Sequence, residues 1–211
     1  MKVTKAQAQA NRARVVETAS TLFREHGYDG IGVADLMAAA GFTHGGFYKH
    51  FGSKADLMAE AAACSIAQTA ELAAGADMLE FVRQYLSREH RDTRATGCTM
   101  AALCGDAARQ PEALRAIFAA GIEGLITTLC GERAAMNARE SAQLREKTLN
   151  TFAHAVGAMV MSRACPDNSP LADEILSVCC NEILASLRPP ITAQVTAHDE
   201  GIDGFAKPKQ G

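Results

Sequence analysis

Residues 33–54 read VADLMAAAGFTHGGFYKHFGSK and are the most informative part of the sequence. Its first part has the spacing of a short amphipathic helix and ends at Gly41, a residue type suited to stopping a helix. Thr43 can cap a second, very short helix, in which Phe47 and Phe51 lie four residues apart and face a core. Two short helices joined by a glycine-containing turn form a helix-turn-helix unit, whose second helix enters the major groove of DNA.

The other side of this second helix carries residue types that contact DNA. Two successive glycines in its first turn remove side chains, so that backbone amides can approach phosphates or base edges. Tyr48 can donate to a phosphate oxygen, Lys49 and Lys54 can neutralise phosphates, and His44 and Lys49 are the best placed to reach bases. The candidate DNA-contacting residues are Val33, Thr43, His44, Gly45, Gly46, Tyr48, Lys49, His50 and Lys54.

The rest of the chain predicts helices and no strands. No proline precedes Pro111, alanine is abundant, and no stretch alternates apolar with polar residues. The fold class is therefore all-α. The predicted helices cover residues 6–26, 33–40, 43–51, 78–90, 99–109, 111–129, 137–163 and 170–187, with a further helix that begins after Ser53.

The pattern of helices and glycines predicts three segments. A helix-turn-helix DNA-binding domain covers residues 1–54, and an effector-binding and dimerisation domain covers residues 55–188. Residues 189–211 lack periodicity and are predicted to form a disordered tail.

The overall charge of the 211-residue chain is not typical of a nucleic-acid binder, because the net charge is -3 and the pI is near 6.1. The charge is unevenly distributed. Residues 1–54 hold seven Lys/Arg against four Asp/Glu, a net of +3, and the remainder has a net of −6. The basic part coincides with the predicted DNA-binding domain.

The chain also offers no sign of a secreted or membrane protein. Its first residues are polar, no uninterrupted apolar run approaches the length of a membrane span, and none of its seven cysteines lies in a C-x-x-C pair. We expect a cytoplasmic protein with reduced cysteines, no membrane partner, no cofactor and no bound metal.

From Arg14 to Met58 the chain resembles the DNA-binding domain of TetR-family transcriptional regulators. The matching residues are Ala19, Leu22, Phe23, Gly27 and Tyr28, then Val33 to Leu36, Ala40 and Gly41, and the block from Thr43 to Leu57. The resemblance implies an all-helical homodimer of about nine helices, with a C-terminal domain that binds an effector and dimerises. It also implies that Gly45, Tyr48, Lys49, His50 and Lys54 lie where family members touch operator DNA.

Two departures from the family pattern precede and begin the second helix. The family usually has Thr at the position of Gly32 and often has Arg at the position of Ala34. Both residues commonly add a helix cap or a phosphate contact, so their absence predicts a shallower salt dependence of DNA binding.

Cys98 is the candidate sensor. It follows Arg91 and Arg94 and lies at the expected start of a helix, and both features lower the pKa of a thiol. Gly97-Cys98 is also similar to a segment in a subset of TetR-family regulators, some of which sense electrophiles or oxidants. Cys104 is a possible resolving partner. The alternative is that Cys98 is a small buried residue at a helix start.

Two phenylalanines, Phe118 and Phe152, are candidates to line an effector cavity, although core packing is the alternative for both. The last helix carries Leu171, Ile175, Cys179 and Ile183 at intervals of four residues. With Phe152 and Val156 of the preceding helix, they predict a four-helix interface between two copies of the chain.

These features predict a sequence-specific transcriptional regulator, a repressor released from a palindromic operator by a small molecule, electrophile or oxidant. It is not expected to be an enzyme. Two alternatives remain, a thiol-based enzyme that uses Cys98 or Cys104 and a helical adaptor without DNA binding. The sequence places no histidine close to either thiol, as nucleophilic catalysis would require.

Overall fold

The regular structure of the chain is helical, as the sequence predicted. The computed structural model describes residues 4–131 and 137–187, and no strand occurs in these ranges. The described α-helices are α1 (Lys5–His26), α2 (Val33–Ala39), α3 (Lys54–Ala73), α4 (Met78–Tyr85), α5 (Arg88–Asp92), α6 (Thr99–Ala107), α7 (Glu112–Cys130), α8 (Ala138–Ala164) and α9 (Pro170–Leu187). Short 3₁₀ helices cover His44–Lys49 and Arg94–Thr96. The predicted tail, residues 189–211, lies outside the described residues.

Helix α1 begins and ends at clear local signals. The Thr4 hydroxyl accepts a hydrogen bond from the Gln7 amide, and Gly27 ends the helix with a φ of 77°. The next residue, Tyr28, is fully buried and donates its amide hydrogen to Oδ2 of Asp106 in α6, 3.1 Å away. A Cβ at position 27 would lie 2.6 Å from the same oxygen, so only glycine fits there. This contact ties the N-terminal helices to the rest of the molecule.

The helix-turn-helix unit forms as predicted, with one difference in its second helix. Gly41 makes the turn with a φ of 82°. The second helix is a 3₁₀ helix, and the Thr43 hydroxyl makes no capping bond, contrary to prediction. Instead, the Gly46 amide donates to the Thr43 carbonyl at 2.9 Å. The two glycines have low helical propensity, and so short a segment favours the tighter 3₁₀ turn.

The prediction of one helix over residues 78–90 is wrong, because the structure has two helices there, α4 and α5. The backbone leaves the helical region at Leu86, and the Ser87 hydroxyl accepts a hydrogen bond from the His90 amide at 3.1 Å. Ser87 is therefore the N-cap of a new helix. The apolar periodicity concealed this break, since Val82, Tyr85 and Leu86 are all buried.

Helix α3 connects the helix-turn-helix unit to the C-terminal helices. The Ser53 hydroxyl caps it, as predicted, by accepting from the Asp56 amide. Along its length α3 packs against α1 on one side and α7 on another. At Gly121 of α7 an added Cβ would lie 2.8 Å from Ile66 of α3, so these helices approach closely. Any shift of α7 therefore also displaces α3.

Helix α7 is the one helix of the described residues that is long and apolar enough to cross a membrane. Arg115 and Glu123 interrupt its apolar sequence. Glu123 accepts two hydrogen bonds from Arg145 of α8, each 2.7 Å long. Phe118 and Leu125 of the same helix are buried in the core.

Candidate nucleic-acid interface and ligand cavity

The 3₁₀ helix presents most of the predicted DNA-contacting residues on one surface. Phe47 and Phe51 are buried and stacked, with ring centroids 5.5 Å apart, and this pair fixes the helix to the core. Tyr48, on the outer side, is 69% exposed, although it is a large aromatic residue. The residues Thr43, His44, Gly45, Tyr48 and Lys49 are exposed, and Val33, Gly46, His50 and Lys54 are half-buried.

This surface has room for a close approach of DNA. A Cβ placed on Gly45 would have no atom within 4 Å, so the backbone there faces open space. The first amides of any helix lack intrahelical partners and attract anions. Exposed amides, a tyrosine hydroxyl and the Lys49 ammonium together form a surface suited to phosphate oxygens.

Lys54 has a structural contact that the sequence did not reveal. Its ammonium group donates to the carbonyl oxygen of Tyr28 at 2.5 Å and lies 6.0 Å from the centre of the Phe23 ring. It therefore holds the turn after α1 against the start of α3. An ammonium group has three donors, so this bond still leaves donors for a phosphate.

Two arginines of α1 that sequence reasoning did not select also lie beside the unit. Arg14 is exposed, and its guanidinium is 5.8 Å from the centre of the Phe42 ring, next to the Gly41 turn. Arg12 forms a two-pronged ion pair with Glu60 of α3 and donates to the His50 carbonyl at 3.3 Å. Both contacts span tens of residues, so no local pattern could have identified them.

A second site is an apolar cavity in the C-terminal helices. It has a volume of about 360 Å³ and lies between α4, α8, the end of α7 and the end of α9. Its few polar groups are Asp77, Lys147, Thr148 and Thr151. The apolar lining consists of Met78, Leu79, Phe81, Val82, Tyr85, Leu129, Leu144, Phe152, Ala155 and Leu187.

The structure separates the two predicted cavity phenylalanines. Phe152 lines this cavity. Phe118 does not line it, because its ring is buried among core side chains and only 4% exposed. A periodic apolar residue can face either the core or a cavity, and the sequence pattern is the same in both cases.

Cys98 lies in a different setting from the one its sequence neighbours indicate. Arg91, only 1% exposed, donates to Ser162 and to the Cys165 carbonyl, so the expected arginine does not pair with the thiol. Cys98 is buried at the start of α6, beside a groove that is also lined by Leu72 and Tyr85. It is thus at a helix N-terminus, as predicted, but it is shielded from solvent.

His90 lies beside Cys98 and contacts its backbone. The Nε2 atom of His90 accepts the Cys98 amide hydrogen at 3.0 Å, and Nδ1 donates to the Tyr85 carbonyl at 2.6 Å. The Cys98 amide therefore occupies the Nε2 lone pair, which would otherwise be able to accept a proton from a thiol. Burial also raises the pKa of Cys104 to about 11, which keeps that thiol protonated near neutral pH. In this geometry His90 is not available as a base for the Cys98 thiol.

The predicted dimer residues divide into two groups. Leu171 is exposed, and Phe152, Val156, Ile175 and Cys179 are half-buried. Ile183 is only 2% exposed and packs inside the subunit, contrary to prediction. The reason is geometric, because residues four apart rotate about 40° around a helix of 3.6 residues per turn, and three such steps change the face.

The exposed apolar surface of α8 and α9 includes residues that the prediction omitted. These are Leu149, Val160, Met161 and Val178, each between 45% and 59% exposed. Gly157 lies among them, and a Cβ there would have no atom within 4 Å. A second helix could therefore cross α8 closely at this position.

Among the residues that the structure describes, no group of three or more His, Cys, Asp or Glu side chains is arranged to hold a metal ion. The notable constellations are thus the exposed 3₁₀ helix, the apolar cavity and the exposed face of α8 and α9.

A glycine-linked pair of short helices on a helical body, with aromatic and basic side chains on the exposed second helix, defines a helix-turn-helix protein. Residues 15–61 match the family model described as bacterial regulatory proteins, tetR family. Over these residues the chain is similar to members of this family.

Curated relatives match over the same part of the chain. The HTH-type transcriptional repressor AcnR of Corynebacterium glutamicum is 33% identical over 81 residues, which are 38% of this chain and 43% of the relative. The HTH-type transcriptional regulator TtgR of Pseudomonas putida is 40% identical over 55 residues, 26% of each chain. The aligned part covers less than half the length of these relatives.

Solved structures extend the likeness in fold to most of the chain. The crystal structure of the reduced form of Escherichia coli NemR has a TM-score of 0.67 and 19% identity, covering 82% of this chain and 95% of the other. A TetR-family regulator from Agrobacterium tumefaciens has a TM-score of 0.60 and 21% identity, covering 85% and 98%. The fold prediction, a helix-turn-helix domain followed by a helical C-terminal domain, is confirmed.

Proposed function

We propose that the protein is a homodimeric transcriptional repressor that binds a palindromic DNA operator and releases it when an effector binds the C-terminal helices. The observation that carries this proposal is the 3₁₀ helix His44–Lys49, which Phe47 and Phe51 anchor from below while Tyr48 and Lys49 remain exposed. The exposed Tyr48 hydroxyl and Lys49 ammonium are both suited to phosphate oxygens of DNA.

DNA binding follows from this helix and its surroundings. The 3₁₀ helix enters the major groove, where His44 and Lys49 reach base edges and Tyr48 contacts a phosphate. Arg14, exposed beside the Gly41 turn, adds a phosphate contact on the flank. In a two-fold dimer both recognition helices face the same side of DNA, about one helical turn or somewhat more apart, which requires a palindromic operator.

The effector site is the apolar cavity between α4, α7, α8 and α9. Its size suits a small molecule, and its lining favours an apolar body with one polar group near Thr148 and Thr151. Phe152 lines this cavity on α8, beside the proposed dimer face.

Release follows from the way the helices pack. A ligand between α4, α7 and α8 displaces α7, and the close contact of Gly121 with Ile66 passes that displacement to α3. Because α3 begins at Lys54, beside the recognition helix, the two recognition helices change their separation and leave the operator.

An oxidant or electrophile acting at Cys98 is a second route to the same release. The position of Cys98 at the start of α6, on the wall of a groove shared with Leu72 and Tyr85, supports it. Modification of this buried thiol would separate α5 from α6. Cys104 is a weaker candidate, because its raised pKa disfavours the reactive thiolate.

DNA retardation with fragments from the promoter region of its own gene tests the proposal. The parent retards a specific fragment, and Tyr48→Ala and Lys49→Ala weaken that retardation at least about tenfold. Arg115→Ala is the matched control, because it removes one exposed cation from α7, away from the interface, and should bind like the parent. A parent that retards no genomic fragment would overturn the proposal and favour a helical adaptor.

A further inference from the structure

A second cavity, different in character from the apolar one, lies where α1 meets the C-terminal helices. It has a volume of about 340 Å³ and is bounded by the end of α1, the 3₁₀ helix Arg94–Thr96, α6 and the end of α8. The lining residues that matter here are Arg24, Arg94 and Arg163, with Glu25 and His26 at the side. One arginine comes from each of three separate elements.

These three arginines bring positive charge that the surrounding residues do not balance. In residues 4–131 and 137–187, none of the three has a carboxylate oxygen within 4 Å of its guanidinium. Glu25 is the one acid in the lining; its carboxylate lies 3.8 Å from His26 and is about half exposed. The lining therefore carries an excess of positive charge that an anion would balance.

Burial makes the absence of a counter-ion energetically unfavourable. Arg24 is only 8% exposed, and its Nε donates to the Ala95 carbonyl at 2.7 Å. Burial lowers the pKa of Arg24 and of Arg163, although arginine stays protonated near neutral pH. A buried guanidinium without a counter-ion is rare, because leaving water is costly for a charge.

Arg163 has a donor that no described group satisfies. Its Nε donates to the Arg91 carbonyl at 3.0 Å and its Nη2 to the His90 carbonyl at 2.8 Å. Its Nη1 is buried and has no partner among the described atoms. Because Nη1 is closed to solvent, Arg163 contributes its positive charge to the cavity rather than this nitrogen.

We propose that this arginine cavity binds a small oxyanion, the phosphate or carboxylate group of a metabolite, which bridges α1 to α8. The carbonyl bonds of Arg24 and Arg163 hold both guanidinium groups in place before the anion arrives. Arg94 is exposed, and its one hydrogen bond is a 3.5 Å contact with the Arg163 carbonyl, so it can close over the bound anion.

The bridge has a regulatory consequence that rests on the proposed function. Arg24 lies on the helix that supports the helix-turn-helix unit, and Arg163 lies near the end of the helix proposed to pair with a second copy. An anion between them fixes the angle of the DNA-binding domain on the dimer. Anion binding itself does not depend on DNA, so the two ideas can fail separately.

Isothermal titration calorimetry with inorganic phosphate and with malonate tests the binding step, with chloride keeping the ionic strength constant. Saturable heat with at least one of the two oxyanions supports the proposal, and the tighter of them identifies the anion class. Thermal unfolding in the same solutions should show a higher midpoint with that oxyanion than with chloride alone.

Arg94→Gln is the decisive variant, because Arg94 is exposed and its loss leaves the fold intact. Its affinity for the oxyanion should fall about tenfold or more, since one charge-assisted bond is removed. Arg115→Gln, which removes a cation elsewhere on the surface, should bind like the parent. Arg24→Gln should abolish binding, and Arg94→Gln keeps the proposal testable should that variant not fold.

Two results would overturn the proposal. One is the absence of saturable heat in the parent with either oxyanion. The other is an equal loss of affinity in Arg94→Gln and Arg115→Gln, which would show only a general effect of surface charge. Retardation of promoter DNA at constant ionic strength then measures the regulatory consequence, which requires a shift in the parent and none in Arg94→Gln.

Discussion

Lys54 and Lys49 show how two cations of one surface differ in role. Lys49 is exposed and makes no hydrogen bond or ion pair with the described residues, whereas Lys54 is half-buried and donates to the Tyr28 carbonyl. The sequence predicts that both lysines neutralise phosphates of DNA. The structure adds a folding role to only one of them.

We predict that Lys54→Met lowers both stability and DNA affinity, and that Lys49→Met lowers DNA affinity alone. The lost bond to the Tyr28 carbonyl should cost about 1 kcal/mol of unfolding free energy, because the donor is charged but partly solvated. Urea unfolding without DNA measures this difference. Equal unfolding free energies for the two variants would contradict the structural role of Lys54.

Cys98 and Cys104 differ in the chemistry available to them. Because burial raises the pKa of Cys104 to about 11, very little of it is thiolate near pH 7.5. If a thiol controls DNA release, diamide should therefore release the parent and Cys104→Ser but not Cys98→Ser. Retardation assays with and without diamide measure this, and release of Cys98→Ser would rule out Cys98 as the sensor.

His90 makes stability depend on pH. Its pKa is lowered by burial, and the nearby Arg163 also lowers it, whereas the bond to the Tyr85 carbonyl raises it. The unfolded chain therefore binds a proton more readily than the folded chain. The full contribution of neutral His90 is present above about pH 6.5 and is lost as the pH falls below that value.

We accordingly expect the unfolding free energy to fall between pH 7 and pH 5, with a smaller fall in His90→Gln. Glutamine keeps an acceptor and a donor but cannot bind the proton. His44→Gln, at an exposed position, is the matched control and should show the slope of the parent. Urea unfolding at several pH values measures the slopes, and equal slopes in parent and His90→Gln would contradict the assignment.

At the scale of the elements, the N-terminus of α2 lacks a side-chain cap. Gly32 occupies the N-cap position with a φ of −87° and makes no side-chain hydrogen bond. Any residue can adopt this backbone, and a Cβ would meet only Oδ2 of Asp35, at 3.4 Å. The position can therefore accept the hydroxyl residue that the family usually has there.

Gly32→Thr should raise the unfolding free energy by a few tenths of a kcal/mol, because its hydroxyl can accept an amide hydrogen of the first turn. It should also steepen the salt dependence of DNA binding, because a capping hydroxyl can contact a phosphate. Gly32→Ala separates the cap from the backbone effect, because it restricts the unfolded chain without adding a hydroxyl. A threonine variant no more stable than the alanine variant would exclude a capping effect.

The sequence predicted helices best where a cap, a glycine or a proline marks a boundary. Helices α1 and α9 have almost the predicted bounds, and Gly27 and Pro170 are the local signals. The break at Ser87 was missed because a serine in an apolar pattern is a weak signal. Periodicity alone does not distinguish a continuous helix from two helices that bury the same side.

The site was predictable only where it is local in sequence. The exposed residues of the 3₁₀ helix follow from their spacing around Phe47 and Phe51. The arginine cavity was not predictable, because Arg24 and Arg163 come together only through the packing of α1 on α6 and of α6 on α8. The prediction of Ile183 on the dimer face is wrong because residues spaced four apart do not stay on one face of the helix.

At the scale of the whole molecule, α8 and α9 present apolar side chains that the other described residues do not cover. Leu149, Val160, Met161, Leu171 and Val178 are all exposed. Such a patch on two neighbouring helices suits a two-fold, four-helix contact with a second copy. Val156, Ile175 and Cys179, half-buried on the same helices, would lie at its edges.

Val178→Glu should convert the proposed dimer into a monomer, because it would bury a charge in an apolar contact. Leu72→Glu is the matched control, because Leu72 is 76% exposed but lies on α3. Sedimentation velocity measures the oligomeric state. The monomeric variant should also lose most of its DNA affinity, since each half-site would be bound separately; a parent that sediments as a monomer would refute the interface.

The contact of Tyr28 with Asp106 bears on how the N-terminal helices of this chain can be joined to another helical body. A chimera that joins residues 1–54 to the body of another regulator would lose the carboxylate that receives the Tyr28 amide. That amide would then be left without a partner in a buried position, at a cost of about 1–3 kcal/mol. Successful grafts should therefore be those whose recipient body offers an acceptor at the end of α6, a criterion that can be applied before any chimera is built.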